Sequence, residues 1–160
     1  MQDLYINKDD NLNPRYNLDS FIVGPFNELA HASAQAIINK PGAAYNPLFI
    51  YGDTGLGKTH LIQGIGNTMK NKYPNKKVFY VTLEKFSIDF TNSVQFNTQN
   101  KFKEKYRKYD VLIIDDIQFI STKERTKDEL FNLFNTLYEH NKQIVSSSDK
   151  HPNHISGIEE

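Results

Sequence analysis

Short runs of consecutive apolar residues alternate along this chain with longer stretches whose apolar positions recur every three or four residues. The short runs read as strands and the longer stretches as helices. Leu48-Phe49-Ile50-Tyr51, Lys77 to Leu83, Val111-Leu112-Ile113-Ile114 and Gln143-Ile144-Val145-Ser146 form the strand set. Helices are expected from Asn27 to about Asn39, with Leu29, Ala30, Ala34, Ile37 and Ile38 on its apolar side, and from the glycine-rich turn after Tyr51 to about Tyr73, through Leu61, Ile62, Ile65 and Met69. Pro41-Gly42 stops the first of these. Residues 84–95 carry Phe86, Phe90 and Val94 at four-residue steps, and a basic helix runs from Lys101 to about Lys108. Lys127 to Asn141 has the widest apolar face: Leu130, Phe131, Leu133, Phe134, Leu137 and Tyr138.

The remaining segments are polar or broken. Residues 1–13 are rich in Asp and Asn and read as a linker or disordered arm, Phe21-Ile22-Val23-Gly24 is a short apolar element closed by a glycine turn, and Lys150 to Glu160 is loop-like. Strands that alternate with helices imply an α/β fold, a parallel sheet covered on both faces. Such sheets place their ligands beyond the carboxyl ends of the strands. Three chemically distinctive segments end strands here: the glycine-rich turn after Tyr51, Asp115-Asp116, and Ser148-Asp149.

Composition narrows this picture. A chain of 160 residues can bury one substantial core. Lys and Arg number 19, as do Asp and Glu, so no global field favours a polyanion and any nucleic-acid contact must be local. The absence of cysteine excludes disulfides and thiolate chemistry. The amino terminus lacks the pattern of a signal peptide, and the apolar runs are too short to be a membrane-spanning segment. A cytoplasmic location is the expectation.

Gly52-Asp53-Thr54-Gly55-Leu56-Gly57-Lys58-Thr59 has the spacing G-x-x-x-x-G-K-T, with a strand before it and a helical pattern after it. Glycines let the chain turn so that successive N–H groups point into one concavity fit for phosphate oxygens. The helix that follows adds its free N–H groups and the positive end of its dipole. Lys58 supplies a charge to the outer phosphates, and the Thr59 hydroxyl can ligate Mg²⁺. Opposite such a loop, a carboxylate at the end of an apolar strand can hold Mg²⁺, which is the role read for Asp115, and the next, Asp116, can orient and partly deprotonate an attacking water. Ser148 and Asp149 close the next strand and could polarise a γ-phosphate, although both are ordinary loop residues.

Other constellations say less. The five histidines, His151 and His154 among them, lack metal-ligand spacing and read as surface residues. Lys101 to Tyr109 interleaves cations with Phe102, Tyr106 and Tyr109, which share one helical face. Spacing alone favours an amphipathic surface helix; the sharper reading is a patch that follows a nucleic-acid backbone. Lys123-Glu124-Arg125 is a second such candidate.

Several stretches together resemble one family. Leu12-Asn13-Pro14-Arg15-Tyr16, Phe21-Ile22-Val23-Gly24, Tyr45-Asn46-Pro47-Leu48-Phe49-Ile50-Tyr51-Gly52, Gly55-Leu56-Gly57-Lys58-Thr59-His60-Leu61 and Leu112-Ile113-Ile114-Asp115-Asp116-Ile117-Gln118-Phe119 are similar to the AAA+ domain of the DnaA family of bacterial chromosomal replication initiators. The resemblance covers about Leu12 to Glu160. It implies the ASCE type of P-loop NTPase fold over residues 14–160, with Asp115-Asp116 as the Walker B pair, Asp149 as sensor I, and Lys58, Asp116 and Asp149 serving hydrolysis. ATP or ADP would lie against Gly52 to His60, with Tyr16, Val23 and Gly24 near adenine and ribose. A helical pair at about residues 84–108 would be the initiator-specific insertion, which steers self-association into a filament. Arg125 matches a family position that contacts single-stranded origin DNA. Thr91 stands where the family usually has an aliphatic residue that touches the same strand.

The family's pattern continues beyond Glu160 with an arginine finger, a last sheet strand, a helical lid and a helix-turn-helix domain. The resemblance therefore implies a partial AAA+ unit with Leu48–Tyr51 as an exposed sheet edge, very weak hydrolysis and no sequence-specific binding of duplex DNA. Two other readings stand beside an initiator core: a helicase-loader-like or regulatory AAA+ protein without its own DNA-binding domain, and an inactive gene fragment.

Overall fold

The computed structural model describes residues 10–18, 28–43, 45–52, 57–122 and 124–149. Its elements are α1 (Glu28–Asn39), β1 (Leu48–Tyr51), α2 (Lys58–Lys72), β2 (Val78–Thr82), α3 (Leu83–Gln95), α4 (Gln99–Arg107), β3 (Val111–Asp115), a 3₁₀ turn (Ile117–Thr122), α5 (Glu124–Glu139) and β4 (Gln143–Ser148). The strands form one parallel sheet in the order β1-β4-β3-β2. Among the described residues, β1 is an edge, and Tyr51 on it is 53% exposed.

Every residue of β3 is buried, which is why its sequence is a continuous apolar run rather than an alternating one. Alternate residues serve opposite faces. Val111, Ile113 and Val145 pack with α1 and α2 residues Ala34, Ile37, Leu61, Ile62, Ile65 and Met69. Leu112, Ile114 and Ile144 pack on the other face with Phe86, Phe102, Tyr106, Leu130, Leu133 and Leu137 from α3, α4 and α5. Two faces of helices thus close over one sheet, as the strand–helix alternation implied.

The expectation of a frayed arm over residues 1–13 is corrected where the structure describes it. Leu12 is fully buried in the α1–α2 core, a burial worth about 1.5–3 kcal/mol for such a side chain. Asp10 pairs with Lys70 at 2.9 Å, accepts from the Leu12 N–H, and its carbonyl accepts the Tyr80 N–H at 2.9 Å. Asn67 of α2 donates to the carbonyls of Asn13 and Tyr16. The strap lies this close because α2 carries Gly64 and Gly66: a Cβ there would come within 2.8 Å of Leu18 and 2.9 Å of Leu12, respectively. Polar residues that read as loop are here the hydrogen-bonding partners that dock it.

Two residues expected on apolar helix faces are mostly exposed, Leu29 at 80% and Tyr138 at 58%. Each lies at the margin of a stripe wider than the surface its helix covers. In α4 the amphipathic reading holds. Phe102, Tyr106 and Tyr109 are buried, with Tyr109 stacked on Phe79 at 4.5 Å and Tyr106 edge-on to Phe86 at 4.9 Å. Lys105 lies over the rings of Phe79 and Tyr106, so its charge is part of this packing.

The Tyr106 hydroxyl donates to Asp89 at 2.8 Å. Burial pushes the Asp89 carboxyl up, but the Tyr106 hydroxyl, Lys105 and Lys85 outweigh it and hold the group below its ordinary range. Tyr106→Phe keeps the ring and should lower unfolding stability by about 1.5 kcal/mol at pH 7. A depressed acid contributes stability above its unfolded value and loses it as the pH falls through its folded value. Urea unfolding should therefore show the wild-type advantage narrowing below about pH 4.

Candidate nucleotide site

The site lies where β1, β3 and β4 end. From β1 the chain passes through Gly52, whose N–H donates to the Ser148 carbonyl at 3.1 Å and so ties this turn to the end of β4. Asp53, Thr54, Gly55 and Leu56 lie outside the described residues, as do Val23 and Gly24. Gly57 precedes α2 with φ +81°, a left-handed conformation that a side chain would strain. The Lys58 ammonium donates to the Gly52 carbonyl.

Asp115, at the end of β3, is 2% exposed. A buried carboxylate is costly unless hydrogen-bonded, and three hydroxyls serve this one. Thr59 of α2 donates to Oδ2 at 3.0 Å, Tyr80 of β2 donates to the same oxygen at 2.7 Å, and Ser147 of β4 donates to Oδ1. Burial and the Asp115 charge push the Tyr80 phenol up, so it acts as a donor. Ser147 also accepts the Asp116 N–H at 3.0 Å, which helps hold Asp116 at φ +61°. Asp tolerates that region better than most side chains do.

Asp116 is raised above its ordinary value, first by burial and then by the Asp115 charge; Asp149 adds to the rise, while Gln118 and Lys58 oppose it. The Asp149 N–H donates to Gln118 at 3.3 Å, and Asp149 Oδ1 is buried without a partner. An acceptor turned inward without a donor suits a site that a cation or a polarised water completes. Mg²⁺ takes hard oxygen ligands, commonly one or two protein groups with phosphate and water supplying the rest. Thr59 and Asp115 fit that description, and no group of three or more His, Cys, Asp or Glu among the described residues could hold a metal alone.

On the flank of the loop, His60 Nε2 lies 2.8 Å from the Asn17 carbonyl, and its ring sits 5.4 Å from that of Tyr16. The docked strap therefore brings Tyr16 to α2's first turn, next to Thr59. Thr91 on α3 and Arg125 at the start of α5 are both exposed and belong to a different region. Their helices are joined by a buried contact between the Ser87 and Thr126 hydroxyls at 3.2 Å.

A family model described as the bacterial DnaA ATPase domain matches residues 12–160. The chain belongs to the DnaA family. It is 52% identical over 150 residues to the chromosomal replication initiator protein DnaA of Citrifermentans bemidjiense, a match covering 94% of this chain and 33% of that protein. The chain thus spans about a third of the length of such relatives. Domain III of the DnaA of Thermotoga maritima superposes with a TM-score of 0.89 at 46% identity, covering 93% of this chain and 62% of that one. A replication initiator DnaA bound to AMPPCP and single-stranded DNA superposes with a TM-score of 0.89 at 42% identity, covering 94% and 47%. The fold is the DnaA type of AAA+ α/β sheet, as the sequence resemblance implied.

Within this DnaA-family site, the sequence pattern pointed to Thr59, Lys58, Asp115, Asp116 and Asp149, and the fold brings all five to one edge of the sheet. It missed Tyr80, Ser147 and Gln118. Tyr80 read only as a strand former, and Ser147 was given no role. The one usable signal was strand parity, since Tyr80 and Asp115 fall on the same face once β2 is registered on β3 through Thr82 and Asp115.

Asp116→Asn should stabilise the protein, because the site holds a carboxylate against burial and two neighbouring charges. A melting midpoint about 1–2 °C higher at pH 7 is expected. The gain should vanish on acidification, since a raised acid sheds its charge as the pH falls through its folded value. Thermal melts at pH 4 and pH 7 check both statements.

Proposed function

We propose that this chain is the ATP-binding core of a chromosomal replication initiator. ATP with Mg²⁺ serves as a switch for self-association into a filament at the replication origin, accompanied by slow hydrolysis. The observation that carries this reading is the convergence of Lys58 and Thr59 with Asp115, Asp116 and Asp149 at one sheet edge in a DnaA-family chain. The backbone of Gly52 to His60 would cradle the phosphates, and Lys58 would leave the Gly52 carbonyl to neutralise the outer ones. Thr59 and Asp115 would hold Mg²⁺, whose role is to screen charge between the phosphates. Asp116, with its raised affinity for a proton, would orient water and accept its proton, while Asp149 would polarise the γ-phosphate region. Tyr16, with Val23 and Gly24, would flank the base.

Support for the DNA contact comes from a family structure that contains single-stranded DNA and from the joined helices that carry Thr91 and Arg125. These two residues would meet single-stranded origin DNA, and α3 with α4 would be the initiator-specific insertion. The helicase-loader-like and inactive-fragment readings are weaker, because the family match is to the initiator and the nucleotide-edge side chains are all present.

Lys58→Ala should lower ATP affinity at least about tenfold, the loss of one charge-assisted contact to phosphate. Equal affinity in an equilibrium titration would sink the site assignment. In the full-length protein, Arg125→Ala should weaken single-stranded DNA binding and reduce its log–log salt slope by about 0.7, with ATP affinity unchanged. An unaltered slope counts against Arg125 as a phosphate contact.

A further inference from the structure

The three donors to Asp115 differ in what the metal would ask of them. Thr59 is itself expected to ligate Mg²⁺, so its one hydroxyl would serve the ion through a lone pair and Asp115 Oδ2 through its O–H. Ser147 already divides its oxygen between Asp115 Oδ1 and the Asp116 N–H. Tyr80 donates to Oδ2 at 2.7 Å and, unlike Thr59, has no duty toward metal or nucleotide in this reading.

The phenol is itself held firmly. Its residue lies in the middle of β2, paired with Ile113 of β3. Its N–H donates to the Asp10 carbonyl of the docked strap at 2.9 Å. The neighbouring strand and the strap therefore fix the main chain from which this hydroxyl reaches Asp115. A fixed donor on one carboxylate lobe determines which lone pair the other partners see, a device that orients metal-binding groups generally.

We infer that Tyr80 is the positioning residue of the metal carboxylate: its hydroxyl, donating to Oδ2, fixes how Asp115 is presented to the ion. This rests on the reading of Asp115 as the Mg²⁺ carboxylate. Tyr80 does not touch nucleotide or metal; it acts through Asp115. The hydroxyl that looks like a core tyrosine's satisfied polar tip thus sets how strongly Mg²⁺ and ATP reinforce each other.

The test is equilibrium binding of ATP to the intact chain, with Mg²⁺ and with EDTA, read as the ratio of the two affinities. Wild type should bind more tightly with Mg²⁺. Asp115→Asn should abolish most of that enhancement, and Tyr80→Phe should reduce it about five- to tenfold, the equivalent of one ordinary hydrogen bond. A purely structural role would lower both affinities equally and leave the ratio untouched, and that outcome overturns the proposal. If Asp115→Asn also leaves the ratio unchanged, the metal reading of Asp115 fails, and the proposal fails with it. A wild-type ratio of one has the same meaning. Adding Tyr80→Phe to Asp115→Asn should change the ratio no further; an additional drop would show that Tyr80 acts by a route other than Asp115 and would overturn the inference. Thermal melts of each variant show whether the protein is folded, and Tyr80→Leu, which also removes the ring, gives a second variant with the same expected ratio.

Discussion

The carboxylate of Asp115 is the constraint on which the nucleotide edge depends. It is placed at 2% exposure at the end of a wholly apolar strand, where an unsatisfied charge would be among the most destabilising features a domain can hold. The hydroxyls that satisfy it come from α2, β2 and β4. No two of them are neighbours in sequence, so the carboxylate is tolerated only when α2 and both strands flanking β3 are in place. Burying a charge here links assembly of the sheet to assembly of the site.

The same arrangement accounts for the behaviour of the next residue. Asp116 leaves the strand in a left-handed conformation, with its N–H on Ser147 and its carboxyl near two other acids. Strain and like-charge repulsion concentrated in one residue are expected where chemistry rather than stability has shaped the structure. The stability for this comes from elsewhere: two apolar layers, an aromatic cluster under α3 and α4, and the docking of residues 10–18 onto α2.

That docked strap gives the fold a second organising link. Asp10 reaches β2 through Tyr80 and reaches α2 through Lys70, while Asn13 and Tyr16 are held by Asn67. Tyr16 is thereby set beside His60 in the turn that follows the phosphate loop. A segment that looks like a solvated arm by composition is a packed part of the fold beside α2.

The sequence by itself determined the strand–helix alternation, the parallel sheet and the placing of Lys58, Thr59, Asp115, Asp116 and Asp149 at the carboxyl ends of strands. Each of these signals is local: hydrophobic periodicity within one element, or a loop spacing imposed by backbone geometry. The family too was legible, because its wording is contiguous around those motifs. Only the tertiary structure decided that residues 10–13 are packed, that Leu29 and Tyr138 lie outside the core, and that Tyr80 and Ser147 serve Asp115. These depend on strand order and register, on which oxygen faces which hydroxyl, and on the groove left by Gly64 and Gly66. A tyrosine in an apolar strand has the same local pattern whether its hydroxyl meets solvent or a buried carboxylate. The difference is made by a residue more than thirty positions away, and pattern within a window of one element carries no record of it.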